Sequence, residues 1–336
     1  MNIVIVGGIP EPIGGVTTFV SRILCSDERI KVLVDFYYSK RKVLPECYKE
    51  KFINNKLKII NLLYVFFLAL NKNNFIHLNF SSTRSLLLLS ILPGFNKNLV
   101  LMLHHGELNS GIPHLILKYI LSKFNKVIAI NEKQERFYQK FISPNNIIKM
   151  SSYYPPKSIS KNTLEQFNQK YKNIFLENKQ IALCSGYPRA IYNLTWCIKY
   201  FFKNTDKILI VCSYGEGEEF DNISKLIAQQ NNIFHFHDLH ENEFNYLLYK
   251  SNFYIRPTTT DSFGIAVADA INFETVTLAT DVCRRYQGSY LFSISSYKNF
   301  EKTLNLFFHN KDKLNKEYNS TKHFNYEQLI AKEDNK

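Results

Sequence analysis

The sequence lacks most of what would place it outside the globular α/β proteins. Its longest apolar run, residues 62–70, has nine residues, whereas a membrane-spanning helix needs about 20. The opening MNIVIVGG has neither a basic region nor a small-residue cleavage site, so no secretory leader is expected there. Six cysteines, at 25, 47, 184, 197, 212 and 283, include no CxxC pair. Cys184 and Cys212 fall inside apolar strand-like runs, where cysteine serves as a small core residue, and reduced thiols and a cytoplasmic location are expected. Low-complexity segments and short repeats are missing too. The GxGxxG fingerprint of dinucleotide binding is absent, and no acidic residue stands where a dinucleotide ribose needs one. The histidines of HFHDLH (His235, His237 and His240) have no carboxylate or cysteine at metal-ligand spacing and read as strand and loop histidines.

Acidic residues are scarce in one half only. Residues 1–150 hold 20 Lys and Arg against nine Asp and Glu, while the remainder holds 22 against 20. A basic half suits an anionic partner, such as nucleic acid, anionic lipid or a phosphorylated substrate, or simply a solvated face. No recognisable nucleic-acid-binding module accompanies the charge, so a nucleic-acid partner is disfavoured.

What is present is a repeated alternation. The 336 residues, 45% hydrophobic, suffice for two α/β domains of about 150 residues each. Strand-like runs at 2–6, 31–36, 75–78, 99–103 and 126–130 alternate with helical patterns at 16–24, 57–70, 83–92 and 112–124. Residues 151–180 open on the breaker cluster SSYYPP and turn polar, which marks a domain boundary. The alternation then restarts, with strands at 180–185, 207–212, 233–236, 252–256 and 275–280 and helices at 194–203, 217–230, 241–250 and 264–273. Such alternation predicts parallel sheets covered by helices on both faces.

Four segments carry candidate chemistry. Gly14-Gly15 precede a helix near Val16, and a helix N-terminus attracts phosphate while glycine allows close backbone approach. His104-His105-Gly106-Glu107 end a strand on the side where parallel sheets hold ligands. Arg189 follows another strand and can reach a diphosphate. The richest segment is Arg256-Pro-Thr-Thr-Thr-Asp261-Ser-Phe263-Gly264-Ile-Ala-Val-Ala-Asp269-Ala270. There a strand end, a loop carboxylate and a helix converge, and Asp269 lies in an apolar stretch where a carboxylate is costly to bury without a partner.

This last segment resembles the signature of glycosyltransferase family 4, whose members have the GT-B fold: two acidic residues separated by seven, small residues, then a strand ending in Ser/Thr-Asp-Val. Here these are Asp261, Phe263-Gly264, Asp269-Ala270 and Thr280-Asp281-Val282. Arg256-Pro257-Thr258, Asp281-Val282 and Arg285 resemble a bacterial branch that builds surface polysaccharide. Pro12-Ile-Gly14-Gly15-Val16, His105-Gly106, Ile128-Ala-Ile-Asn131-Glu132 and Tyr154-Pro155-Pro156 are similar to the family's glycine loop, His-Gly strand end, end of the first domain and hinge.

The resemblance implies two Rossmann-like domains with parallel sheets facing across a cleft. Residues 1–155 would form the acceptor domain, 156–310 the nucleotide-sugar donor domain and 311–336 a helical, then polar tail. It implies sugar transfer with retention from a nucleotide-diphosphate sugar to a lipid-linked or polysaccharide acceptor, in capsule, O-antigen or lipooligosaccharide synthesis, without cofactor or metal. By position, Asp269 binds ribose hydroxyls, with Phe263 and Gly264 in the same donor site. Gly14, Gly15 and Arg189 hold the diphosphate. Asp261, at the transferred sugar, and His105, near the acceptor, are the catalytic pair. The basic half then implies peripheral contact with the anionic inner membrane face. Tyr187 and Tyr192 stand where the family has Arg and Lys, which leaves open a weakened homologue acting as a non-catalytic binding subunit.

Overall fold

The computed structural model describes residues 1–39, 42–96, 98–105, 108, 111–175, 179–228, 230–310 and 323–330. They form two compact units. The first is Met1–Tyr154 with the described C-terminal residues 323–330, and the second runs from Pro155 to Asn310.

In chain order the first unit contains β1 (Asn2–Gly7), α1 (Gly15–Ile23), β2 (Ile30–Asp35), β3 (Lys51–Ile53), α2 (Lys58–Leu70), β4 (Asn74–Phe80), α3 (Ser85–Leu89), β5 (Leu99–Leu103), α4 (His114–Leu121), β6 (Lys126–Ala129), α5 (Glu132–Tyr138) and β7 (Ile147–Lys149). Its seven strands pair in parallel in the order β3-β2-β1-β4-β5-β6-β7. Because a strand's side chains alternate between faces, Val4, Val6, Ile76, Leu78, Leu101 and Leu103 share one core with the inner residues of α2, α3 and α4. On the opposite face Phe19 of α1 packs against His77, His104 and Phe324. The C-terminal residues complete that face. Phe324 donates its amide to the Tyr153 carbonyl at 2.9 Å, its ring stacks on His77, and the Tyr326 hydroxyl lies 2.9 Å from His77 Nδ1.

The second unit contains α6 (Lys161–Lys170), β8 (Gln180–Gly186), α7 (Leu194–Lys203), β9 (Lys207–Ser213), α8 (Phe220–Ile227), β10 (Ile233–His237), α9 (Glu241–Lys250), β11 (Phe253–Arg256), α10 (Ile265–Asn272), β12 (Val276–Thr280), β13 (Tyr290–Phe292) and α11 (Tyr297–His309); α12 (Tyr326–Ile330) belongs to the first unit. Its six parallel strands run β10-β9-β8-β11-β12-β13. In both sheets the order reverses once, between β1 and β4 and between β8 and β11, and such switch points open a ligand crevice at the strands' carboxyl ends.

Two features depart from the sequence reading. The polar stretch after the breaker cluster contains a helix, α6, whose N-terminus is capped by the Ser160 hydroxyl accepting from Thr163 N at 3.3 Å. Cys25 and Cys47 are joined in a disulfide with a Cα separation of 5.8 Å, so reduced thiols hold only for Cys184, Cys197, Cys212 and Cys283. The pair is 22 residues apart in sequence, and only the folding of the segment before β3 back towards the end of α1 brings it together.

Candidate active site

The second unit concentrates its buried charge at the β8–β11 switch point. β11 is apolar up to Arg256, which is 5% exposed and lies where the strand meets the loop to α10. Its guanidinium donates to the Ser185 carbonyl at 2.8 Å and to Asp261 Oδ2 at 3.1 Å, and covers the Tyr192 ring with its centre 5.0 Å from the centroid. From beyond β12, Arg285 donates to the same Asp261 oxygen at 2.7 Å, to the Thr280 carbonyl at 2.8 Å, and to the Thr258 and Thr280 hydroxyls at 3.1 Å each. The other Asp261 oxygen accepts from Ser262 N at 3.0 Å. One carboxylate thus ties two arginines, one from a strand end and one from a loop 24 residues beyond the carboxylate itself, into one cluster.

Burial alone would raise the Asp261 carboxyl, but the two guanidiniums outweigh it and hold the group at about 2. A carboxyl depressed from 3.8 contributes stability that is complete above the unfolded value and disappears as pH falls through the folded one. The contribution is about 2 kcal/mol at neutral pH. The unfolding free-energy difference between the wild type and Asp261→Asn should therefore shrink by about that much between pH 5 and pH 2. The chain's one tryptophan, Trp196 in α7, reports the second unit's urea transition. A difference independent of pH would contradict the ion-pair assignment.

Gly264 caps α10 with φ 82°, a left-handed conformation that glycine adopts at no steric cost. A Cβ there would come within 2.6 Å of an Arg285 guanidinium nitrogen and 3.2 Å of Asp261 Oδ2. Glycine is thus required twice, by the turn and by the arginine lying over it. Asp269 follows on α10, 2% exposed, between Ala268 and Ala270. Phe263 contributes its carbonyl to Arg285 at 3.4 Å and its ring to Tyr286, 6.4 Å between centroids.

Arg189 is more peripheral. It is exposed, donates to the Glu216 carbonyl at 3.3 Å and lies over Tyr187, 5.2 Å from the ring centroid. Tyr187 and Tyr192 form an aromatic wall with Tyr214; the Tyr187 and Tyr214 centroids are 4.6 Å apart. His235 and His237 share the Ser213 hydroxyl at 2.7 and 2.8 Å, and among the described residues no group of three or more His, Cys, Asp and Glu is placed to hold a metal ion.

In the first unit, Gly14 is the N-cap of α1 in ordinary extended geometry, with Gly15 the first helical residue. The preceding turn is held from β2: Asp35 accepts from Ile9 N at 3.2 Å and Tyr37 N at 2.6 Å and pairs with Lys42 at 2.8 Å. Lys42 also donates to the Ile9 carbonyl. Burial pushes the Asp35 carboxyl up and the Lys42 ammonium down, the pairing opposing both. The two histidines after β5 diverge. His104 is buried against Asn79 at 3.0 Å, and burial lowers it to about 3, so it is neutral. His105 is exposed, and its carbonyl accepts from Gln134 at 2.6 Å. Gly106 and Glu107 lie outside the described residues.

Of the expected site residues, Asp261, Phe263 and Gly264 join directly through Arg285, and Asp269 shares α10 with its cap Gly264. Gly14, Gly15 and His105 belong to the first unit. The sequence reading did not single out Arg256, Arg285, Thr258 and Thr280 as site residues. Its available signal was an arginine closing an otherwise apolar strand, since a fully buried charge implies a partner.

Two parallel α/β units of this kind constitute the GT-B fold of glycosyltransferases. The structure is similar to that of HepE from Anabaena in complex with UDP, with a TM-score of 0.66 at 10% identity over 94% of this chain and 92% of that one. It is also similar to WaaG, a glycosyltransferase involved in lipopolysaccharide biosynthesis, with a TM-score of 0.62 at 13% identity over 92% and 91%. A glycosyltransferase from Rickettsia africae ESF-5 gives a TM-score of 0.62 at 16% identity over 92% and 89%. No protein-family model and no curated protein matches the sequence.

Proposed function

We propose that the chain is a glycosyltransferase that takes its sugar from a nucleotide-diphosphate sugar bound at the β8–β11 switch point of the second unit. The observation that supports this most is the convergence there of two buried arginines and the leading end of α10, the helix that also carries the buried Asp269. The helix end and the guanidiniums favour the negative charge that a nucleoside diphosphate gains as it leaves. Asp269 accepts hydrogen bonds from the ribose, and Phe263 and Gly264 belong to the same donor site. Asp261 and His105 are the candidates for contact with the reacting sugar, and Gly14, Gly15 and Arg189 for contact with phosphate. Retention and a lipid-linked or glycan acceptor in surface-polysaccharide synthesis complete the reading. No metal or cofactor is assigned a part.

Because HepE has been seen with UDP and with UDP-glucose, UDP-sugars are the first donors to test. A matching donor at 100 times its dissociation constant should stabilise the protein by about 2.7 kcal/mol, read as a rise in the melting temperature followed through Trp196. A panel of nucleotide-diphosphate sugars that leaves the transition unmoved would remove the donor site from the proposal. Binding without transfer or donor hydrolysis would favour the non-catalytic binding subunit.

A further inference from the structure

Just past β5, the chain that leads into His105 is held by a side chain where the sheet stops holding it. β5 pairs with β6 only as far as Met102 and Ile128. Beyond that point Gln134, the third residue of α5 and fully buried, takes over. Its amide nitrogen donates to the Leu103 carbonyl at 2.8 Å and to the His105 carbonyl at 2.6 Å. Its oxygen accepts from Ile130 N, just past β6, at 3.0 Å. One planar amide thus continues the sheet between two strands that have ceased to pair. On the opposite flank His104 N donates to the Phe80 carbonyl of β4 at 2.8 Å, and the His104 ring is fixed on Asn79. The backbone of His104 and His105 is therefore clamped from two sides, while the His105 side chain is exposed.

The ordinary role of a glutamine at this place is capping. Asn131 caps α5 by accepting from Gln134 N at 2.8 Å, and a Gln or Glu at the third helical position commonly reaches back to a backbone N–H at the helix start. That role needs only the side-chain oxygen. Glutamate would fill it as well, and its charge would suit the helix N-terminus better. The two amide protons go instead to carbonyls 31 and 29 residues earlier in the chain. A carboxylate has no proton to offer them. The donor half of the amide, which capping leaves unused, is the half that touches the segment carrying His105.

We propose that Gln134 is a positioning residue: it fixes the backbone from which the His105 imidazole projects and touches no substrate itself. The inference rests on the reading of His105 as a contact of the reacting sugar. Displacing a reacting group by about 1 Å can cost about 10²-fold in rate. The cost falls on kcat, because the donor is assigned to the second unit and its KM is set there.

The test compares three variants. Gln134→Glu keeps the acceptor for Ile130 N but has at most one proton for two carbonyls. Gln134→Met loses both halves. Asn96→Leu is the control, since it removes a buried amide at the other end of β5, where Asn96 donates to the Ala69 carbonyl at 2.9 Å and accepts from Asn98 N at 2.8 Å. All three should melt below the wild type. In both Gln134 variants kcat should fall about tenfold or more with donor KM within about twofold, whereas Asn96→Leu should keep its kcat. Deuterium exchange over residues 99–105 should quicken in both Gln134 variants, and over 126–131 in Gln134→Met alone. If Gln134→Met does not fold, Gln134→Glu decides. Wild-type kcat in folded Gln134→Glu would overturn the proposal and leave Gln134 as a cap. An equal loss in Asn96→Leu would overturn it too, by making the loss one of stability. If the wild type transfers sugar from no nucleotide-diphosphate donor, the proposed function fails first and exchange judges Gln134: faster exchange over 99–105 in Gln134→Glu supports the clamp, and unchanged exchange there overturns it.

Discussion

Replacing Arg285 with methionine is expected to lower the stability of the second unit by about 3–5 kcal/mol, the cost of removing one partner from a buried ion pair. Methionine reproduces much of the aliphatic volume, so the loss is electrostatic more than a cavity effect. The Arg285 side chain is 1% exposed and serves Asp261, the Thr280 carbonyl and hydroxyl, and the Thr258 hydroxyl at once. Without it Asp261 keeps Arg256 and the Ser262 amide, and two buried hydroxyls and a carbonyl lose a donor. Leaving such groups unmatched costs about 1–3 kcal/mol apiece before relaxation. Lysine rescues little, because one ammonium cannot span positions set for a planar fork. The control is Arg29, 41% exposed and paired with Asp27; Arg29→Met should change stability by less than about 1 kcal/mol. Urea unfolding followed through Trp196 reads the second unit for Arg285→Met, and far-UV circular dichroism reads the control. An Arg285→Met variant within about 1 kcal/mol of the wild type would mean that the cluster does not organise the strand end.

How far this cluster could be read from the chain depends on range. The end of β11 at Arg256, the turn at Gly264 and the helix carrying Asp269 are local, set by an apolar run, a glycine and a second apolar run, and all were legible. So was the doubled alternation, because buried parallel strands give continuous apolar segments. The sharing of one carboxylate between Arg256 and Arg285 was not, since it needs two loops to meet across β12. Asp261 read as a carboxylate for sugar hydroxyls, and nothing local in the sequence indicated that its oxygens also accept from Arg256, Arg285 and Ser262 N. Three-residue strands such as β3, β7 and β13 show too little alternation to be seen. His104 and His105 are adjacent in sequence yet take opposite sides, one buried against Asn79 and one exposed. The outward side of α2 and α4 escaped notice for a different reason. The helical patterns at 57–70 and 112–124 did not sort their apolar residues into sides, and only accessibility separates a leucine that faces the sheet from one that faces solvent.

Asp269 carries the largest expected effect on activity. Asp269 lies on α10 and is 2% exposed, and burial limits a side chain's rotamers and so lessens the entropy lost when it grips a ligand. A ribose presents two neighbouring hydroxyls, and a carboxylate can accept from both. Hydrogen bonds to a charged acceptor are worth about 1.5–3 kcal/mol each, so losing both with Asp269→Ala should reduce kcat/KM for the donor about 10²–10⁴-fold. Asp269→Asn is the sharper probe because it retains the shape and one acceptor oxygen; a loss of about 10–10²-fold is expected on the same scale. A ribose contact made equally in ground and transition states raises KM and leaves kcat nearly unchanged, whereas a contact made only in the transition state lowers kcat. Steady-state transfer assays with both variants, alongside melting curves to establish that they fold, separate these outcomes. Wild-type kcat/KM in a folded Asp269→Asn protein would release Asp269 from the donor site and leave the arginine cluster as a structural device of the strand end.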